Sequence, residues 1–381
     1  MADSTILQRV RGIVIDLADP YRAPEARAAG SPPFLRQALD TPGLLACFVV
    51  ATLPAWAVGV WNTGRRGLEA GFGSEGESWQ LGMLAAFRVD ADPTAMLACL
   101  TLGVLYFIPL LAAVLATSAF WALVFARTRQ GGVDPGWLFS GWLMVLLMPP
   151  STPLTIAVLA ASFGVVLGSH IFGGTGKYLI SPALLGVLFL HFSYPELVQT
   201  PLAAGDAGSA DGWRALAAGG EDVVEFLLGR EPGGLATGSA LACAVGALYL
   251  VRVGAASWRT IAGAVVGFLV AATVVNVSAG EDPAWHVPWY AHLAVGYVAF
   301  GVAFLATDPS AAPLTRPARW AHGLLIGVLT VVIRVLDPTH PEGSLYALLL
   351  AGLSVPFLDY LVVRRYRTRV RIRAQLRTRG L

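Results

Sequence analysis

Two carboxylates, a guanidinium and an imidazole stand inside stretches otherwise suited to hydrocarbon: Asp308 in FLATDPSAAP, Asp359 in VPFLDYLVV, Arg334 in TVVIRVLDP and His170 in VVLGSHIFGG. Ionisable groups within a membrane segment are rare, and by default they mark an ion path, a proton relay or the partner of another buried charge. Asp308 precedes Pro309, so its alternative role is an N-cap before a restarted helix. For Asp359 the alternative is a neutralising pair with Arg334. His170 titrates in the range of a proton relay, yet a lone histidine in an apolar helix also serves packing, and His191 and His292 lie in similar surroundings. A hard cation such as sodium needs several oxygen ligands, which carbonyls freed at helix breaks near Thr307 and Gly173 supply.

Directly after His170 comes Gly173-Gly174-Thr175-Gly176-Lys177-Tyr178, with Ser181 ahead of Pro182. A glycine turn followed by a helix start offers backbone donors to an anionic group or to a polar ring edge. Lys177 is the only lysine of the chain. Tyr178 is expected to anchor at the membrane surface.

The elements that must position these groups are membrane helices. Apolar residues make up 56% of the chain and charged residues 13%, which places it among multi-pass helical membrane proteins. Apolarity and length predict about ten helices, near 42–62, 94–127, 136–149, 152–171, 182–195, 236–251, 259–278, 288–306, 320–336 and 343–363. The second exceeds the roughly 20 residues a bilayer requires and contains Pro109, so it is tilted, kinked or extended. The N-terminal stretch lacks an apolar core followed by a cleavage site, so it reads as part of the mature chain. Cys47, Cys99 and Cys243 lie in apolar runs without metal-ligand or cluster spacing, and they read as small packing residues. No metal site and no catalytic residue set is expected.

Charge orients the spans. Arg127, Arg129, Arg252, Arg259, Arg316, Arg319 and the tail RRYRTRVRIRAQLRTR mark the cytoplasmic side, and the acidic segments around Glu69–Glu77, Glu196–Glu225 and Glu281–Asp282 mark the other. Both termini are then cytoplasmic, in a bacterial inner membrane. The expected division is a cytoplasmic segment 1–41, a first membrane half 42–195, an extracytoplasmic loop 196–235, a second half 236–363 and a basic tail 364–381. Pro-x-x-Pro recurs at Pro150/Pro153 and Pro338/Pro341, each time before a helix rich in small residues and after one led by Trp137 or Trp320. This suggests two inverted five-helix halves with a functional site between them.

The motifs GSHIFGGTGKYLISPALLG, ASWRTIAGAVVG, PWYAHL, FLATDPSAAP and IRVLDPTHPEG, with Trp61-Asn62, resemble in order and separation the NqrB/RnfD family, NqrB more closely. That family comprises membrane subunits of sodium-pumping NADH:quinone oxidoreductases and of related ferredoxin:NAD complexes. The resemblance spans about Thr41 to Arg365. It implies a fold similar to urea and ammonium channels, covalently linked FMN on the outer face, riboflavin within the membrane, a nearby quinone and a sodium route.

Three positions depart from the family pattern. Where a threonine accepts FMN in a motif like DG-x-SGAT, this chain has Asp206-Ala207-Gly208-Ser209-Ala210-Asp211-Gly212, with no hydroxyl at the acceptor, and Ser209 and Thr237 are not in matching surroundings. Both asparagines of the riboflavin neighbourhood are replaced, by Tyr178 and Ser181. A glutamate near the quinone region is replaced in Ser118-Ala119-Phe120-Trp121-Ala122. Covalent FMN is therefore not expected, and any riboflavin or FMN is expected to be non-covalent; quinone stays a candidate ligand.

Three readings stay open on sequence. One is an integral membrane subunit of a respiratory, ion-translocating oxidoreductase. Another is a flavin-free scaffold or ion pathway in a different membrane redox assembly, and the third is a solute channel of the urea or ammonium type. The expected partners are other membrane and peripheral subunits and, for the arginine tail, anionic lipids; nucleic acid is not expected. With no dinucleotide-binding glycine motif after a strand and no cluster-binding cysteine set, any NADH chemistry belongs to partner chains.

Overall fold

The computed structural model describes residues 12–13, 15–18, 40–70, 79–86, 92–196, 227–229, 233–278, 287–337 and 342–378. Among these the regular structure is helical throughout: α1 (Thr41–Ala70), α2 (Trp79–Ala86), α3 (Met96–Thr128), α4 (Gly136–Leu147), α5 (Leu154–Val165), α6 (Pro182–Ser193), α7 (Ala240–Val253), α8 (Trp258–Val277), α9 (Trp289–Ala294), α10 (Val298–Phe300), α11 (Arg316–Leu336) and α12 (Gly343–Thr378). Five stretches are long and apolar enough to cross a bilayer, Thr41–Glu69, Met96–Thr128, Trp258–Val277, Arg316–Leu336 and Gly343–Val370. The chain is a multi-pass membrane protein.

Each segment expected to be helical contains a helix, but the lengths differ from expectation. α1 continues to Ala70, and α2 forms inside what reads as a loop. Its Leu84 joins Leu68, Ala98, Cys99 and Leu102 in a small apolar cluster, and that burial holds a helix too short to be stable alone. The expected span 288–306 is broken at 295–297. The last helix continues into the arginine tail: α12 runs unbroken to Thr378 over 36 residues, about 54 Å, well beyond a bilayer's hydrocarbon. Residues 206–212 and 338–341 lie outside the described residues, so the degenerate flavin motif and the second Pro-x-x-Pro are not located.

Two breaks share one construction. α5 widens into a π-helical turn at Val166–His170 and α10 into another at Gly301–Leu305. Each π turn leads through an irregular stretch into a helix with proline in its first turn, Pro182 in α6 and Pro317 in α11. Proline starts a helix without loss there, because its missing N–H would have no intrahelical partner.

Packing between apolar helices in a membrane relies on close backbone approach, which small residues permit. α8 and α11 form the most extensive helix pair, crossing through Gly263 and Gly267 on one and Gly323 and Gly327 on the other. A Cβ on Gly263 would stand 2.7 Å from the Trp320 carbonyl oxygen, and one on Gly267 2.5 Å from that of Leu324. Neither carbonyl can move without unwinding α11. Gly267→Leu should therefore lower the thermal midpoint of the detergent-solubilised protein, by a destabilisation of about 1–3 kcal/mol. Gly132→Ala, at a position with open space around it, should leave the midpoint in place.

Candidate functional site

The stretches after the two π turns meet. Tyr178, from the glycine motif of the first break, is buried, and its hydroxyl donates across to Asp308 of the second, 3.0 and 3.2 Å from the two carboxylate oxygens. Asp308 has 0% exposure, and its carboxylate also accepts the Ser310 N–H at 2.9 Å. Its own carbonyl accepts the N–H groups of Ala311 and Ala312. The side chain thus organises the restart after Pro309 and at the same time ties together segments 130 residues apart in sequence. Tyr178 is no surface anchor; it is the interior donor to this carboxylate.

The glycine motif is shaped from behind by Asp134. Its Oδ2 accepts the Thr175 N–H at 3.0 Å and the Ser169 hydroxyl at 3.3 Å, while Oδ1 accepts the Gly136 N–H at 3.2 Å. Gly173, Gly174 and Gly176 adopt φ of +110°, +93° and +84°, values that side-chain-bearing residues rarely take. Beside them, the His170 ring stacks on Phe125 at 4.7 Å between centroids, and the Arg129 guanidinium lies 5.2 Å over the Phe125 ring and donates to the His170 carbonyl. Lys177 is exposed, with its stem along Gly173. Asp134 and Phe125 were not singled out from sequence, and Arg129 was read only as a marker of the cytoplasmic side. The readable signal for Asp134 was Asp-Pro ahead of a helix, the same dipeptide that marks Asp308.

Two further breaks expose helix ends inside the bundle, and each is closed by a different device. The carbonyls of Leu146 and Met148, at the C-terminus of α4, accept the Ala236 and Leu235 N–H groups at 2.8 and 2.9 Å. Those of His292 and Val295, at the end of α9, accept from the Arg334 guanidinium at 2.9 and 2.7 Å. Arg334 is 1% exposed, and a cation at a helix C-terminus also complements its dipole.

Arg334 does not pair with Asp359. The Asp359 carboxylate accepts the N–H groups of Leu314 and Thr315 at 2.9 and 3.0 Å and the Thr315 hydroxyl at 2.6 Å, just ahead of α11. Arg334 lies in the last turn of that helix, about 27 Å away at 1.5 Å per residue. Asp359 serves as an N-cap supplied from a neighbouring helix.

Residues 28–367 match the NQR2, RnfD, RnfE family. The chain belongs to that family. It is similar to the NqrB proteins of Na(+)-translocating NADH-quinone reductases: 34% identical over 350 residues to that of Azotobacter vinelandii, 36% over 350 to that of Ectopseudomonas mendocina and 35% over 358 to that of Klebsiella pneumoniae, covering 86% of each chain in every case.

Family membership raises the question of whether a flavin fits beside the glycine motif. The space adjoining Leu179, Ile180 and Ser181 is about 20 Å³, room for roughly one water and far from the ~300 Å³ of a small-ligand pocket. Tyr178 bonds to Asp308 alongside it, and among the described residues this space is too small for a flavin ring system. Thr237, the other hydroxyl near the acidic loop, is buried and bonded to the Gly234 carbonyl at 3.2 Å. In the segment 118–122 Ser118 and Ala122 are buried and Phe120 is exposed on the outside of the bundle. Among the described residues no cluster of three or more His, Cys, Asp or Glu is placed to hold a metal ion. Asp134→Ala should release the glycine turn: amide exchange across 173–177 should accelerate in hydrogen–deuterium exchange mass spectrometry, since hydrogen bonds to a charged group are worth about 1.5–3 kcal/mol each. Exchange in α8 should not change.

Proposed function

We propose that this chain is the integral membrane subunit of an ion-translocating oxidoreductase of the NADH:quinone or ferredoxin:NAD type, and that its own contribution is the ion route between the two π breaks. The observation that carries this is the Tyr178–Asp308 bond, which joins two irregular backbone stretches inside the bundle. Irregular backbone at membrane depth persists where protein or a watery path satisfies it, and in transporters it forms the ion site. In this reading Asp308 is the interior carboxylate of the route and Asp359, half-buried at the other end of the 306–315 stretch, stands at its mouth. His170 and Arg334 hold the route's walls by stacking and by capping α9.

The short helices α4, α5, α6 and α7 and the broken α9–α10 bring the crossings to ten, in two inverted halves of which the twin π turns are the counterparts. The arginine distribution supports cytoplasmic termini, and the family resemblance supports a bacterial inner membrane. Electrons from NADH or ferredoxin enter through partner subunits, and quinone binds at the boundary with them. The collapsed space beside Tyr178 and the altered acceptor loop favour a subunit without covalent FMN and without flavin at the glycine motif. The projecting arginines of α12, Arg364, Arg365, Arg367 and Arg369, dock against anionic lipid or an acidic face of a peripheral subunit.

Asp308→Asn in the assembled complex should reduce sodium uptake into proteoliposomes about tenfold, the scale of one lost charge-assisted contact. NADH oxidation by the peripheral subunits should continue. Asp359→Ala should also slow uptake, and unchanged flux in both variants would remove the proposed route. The acid-precipitated subunit should show no flavin absorbance; yellow colour in the 196–235 peptide would contradict this.

A further inference from the structure

His322 was not singled out from sequence, and the proposed function does not use it. It is 3% exposed, in the second turn of α11. Its Nδ1 has no hydrogen-bond partner among the described residues. In the tautomer protonated at Nε2 the neutral ring presents a lone pair at Nδ1. That ring forms one wall of the cavity of about 20 Å³, whose other walls include Ser181, Leu184, Leu305, Ala306 and Gly352.

Opposite the acceptor stands a donor. Ser181 is the N-cap of α6, and its side chain makes no capping bond. The first-turn N–H groups of a helix have no intrahelical partner and carry the positive end of its dipole. We propose that one water molecule is bound here, donating to His322 Nδ1 and accepting from the Ser181 hydroxyl or the first turn of α6. The volume suits a single water with two or more polar partners. Sodium is a poor occupant, because the α6 end presents N–H donors and positive potential. Leu179 follows Tyr178 in the chain, and Ala306 and Ala311 flank Asp308 on either side. The water therefore sits beside the Tyr178–Asp308 bond and links α6 to α11 across the junction of the two breaks. This assignment stands independently of the proposed ion route.

A map of the purified full-length protein that resolves ordered waters tests it, recorded once in sodium buffer and once in sodium-free potassium buffer. A peak at about 2.7–3.2 Å from His322 Nδ1 should appear in both. An empty cavity, or a peak present only with sodium, would overturn the assignment. His322→Phe should abolish the peak and His322→Gln, which keeps an acceptor, should retain it. A peak of undiminished height in the phenylalanine variant would show that Nδ1 is not the water's acceptor.

Discussion

Hydrocarbon does not hydrogen-bond, so every interruption of a membrane helix must be compensated by protein groups at the place where it occurs. This chain interrupts its helices repeatedly, and the described structure shows a separate solution for each interruption. Backbone N–H groups of Leu235 and Ala236 close the end of α4, and the Arg334 guanidinium closes the end of α9. Asp134 holds the turn of positive-φ glycines, while Asp308 and Asp359 take the donors of the 306–315 stretch at its two ends. The polar residues inside the bundle are, first of all, the counterparts of broken backbone.

Helix α11 joins these solutions mechanically. Its start is capped by Asp359, its second turn carries His322, and its last turn carries Arg334. Between them the glycine contacts with α8 set the approach of the two helices to backbone distance. The helix spans some 27 Å from its capped start to the α9 break. The same rod thus connects the Asp308 stretch with the distant half-helix end.

The departures from the NqrB/RnfD pattern take on a structural meaning. Tyr178, which departs from the pattern that the resemblance implies, has a side chain long enough to reach Asp308 across the two breaks. The space beside it has room for about one water.

Apolar run length and the placement of proline were enough to locate the helices, because both act through local chemistry: transfer of side chains from water, and a missing N–H. The special status of Asp308 and of the glycine turn was legible for the same reason, since Asp-Pro and clustered glycines announce a break wherever they occur. The partners of these groups were not. Asp359 and Arg334, paired on paper by charge, face different helix ends; Tyr178 turned inward; Asp134 and His322 passed as ordinary loop and helix residues. Hydrogen-bond partnership depends on which distant segments the bundle brings within 3 Å or so. That choice is made by the crossing of glycine-lined helices and the angles of the π turns, both set by three-dimensional packing rather than by any neighbour along the chain.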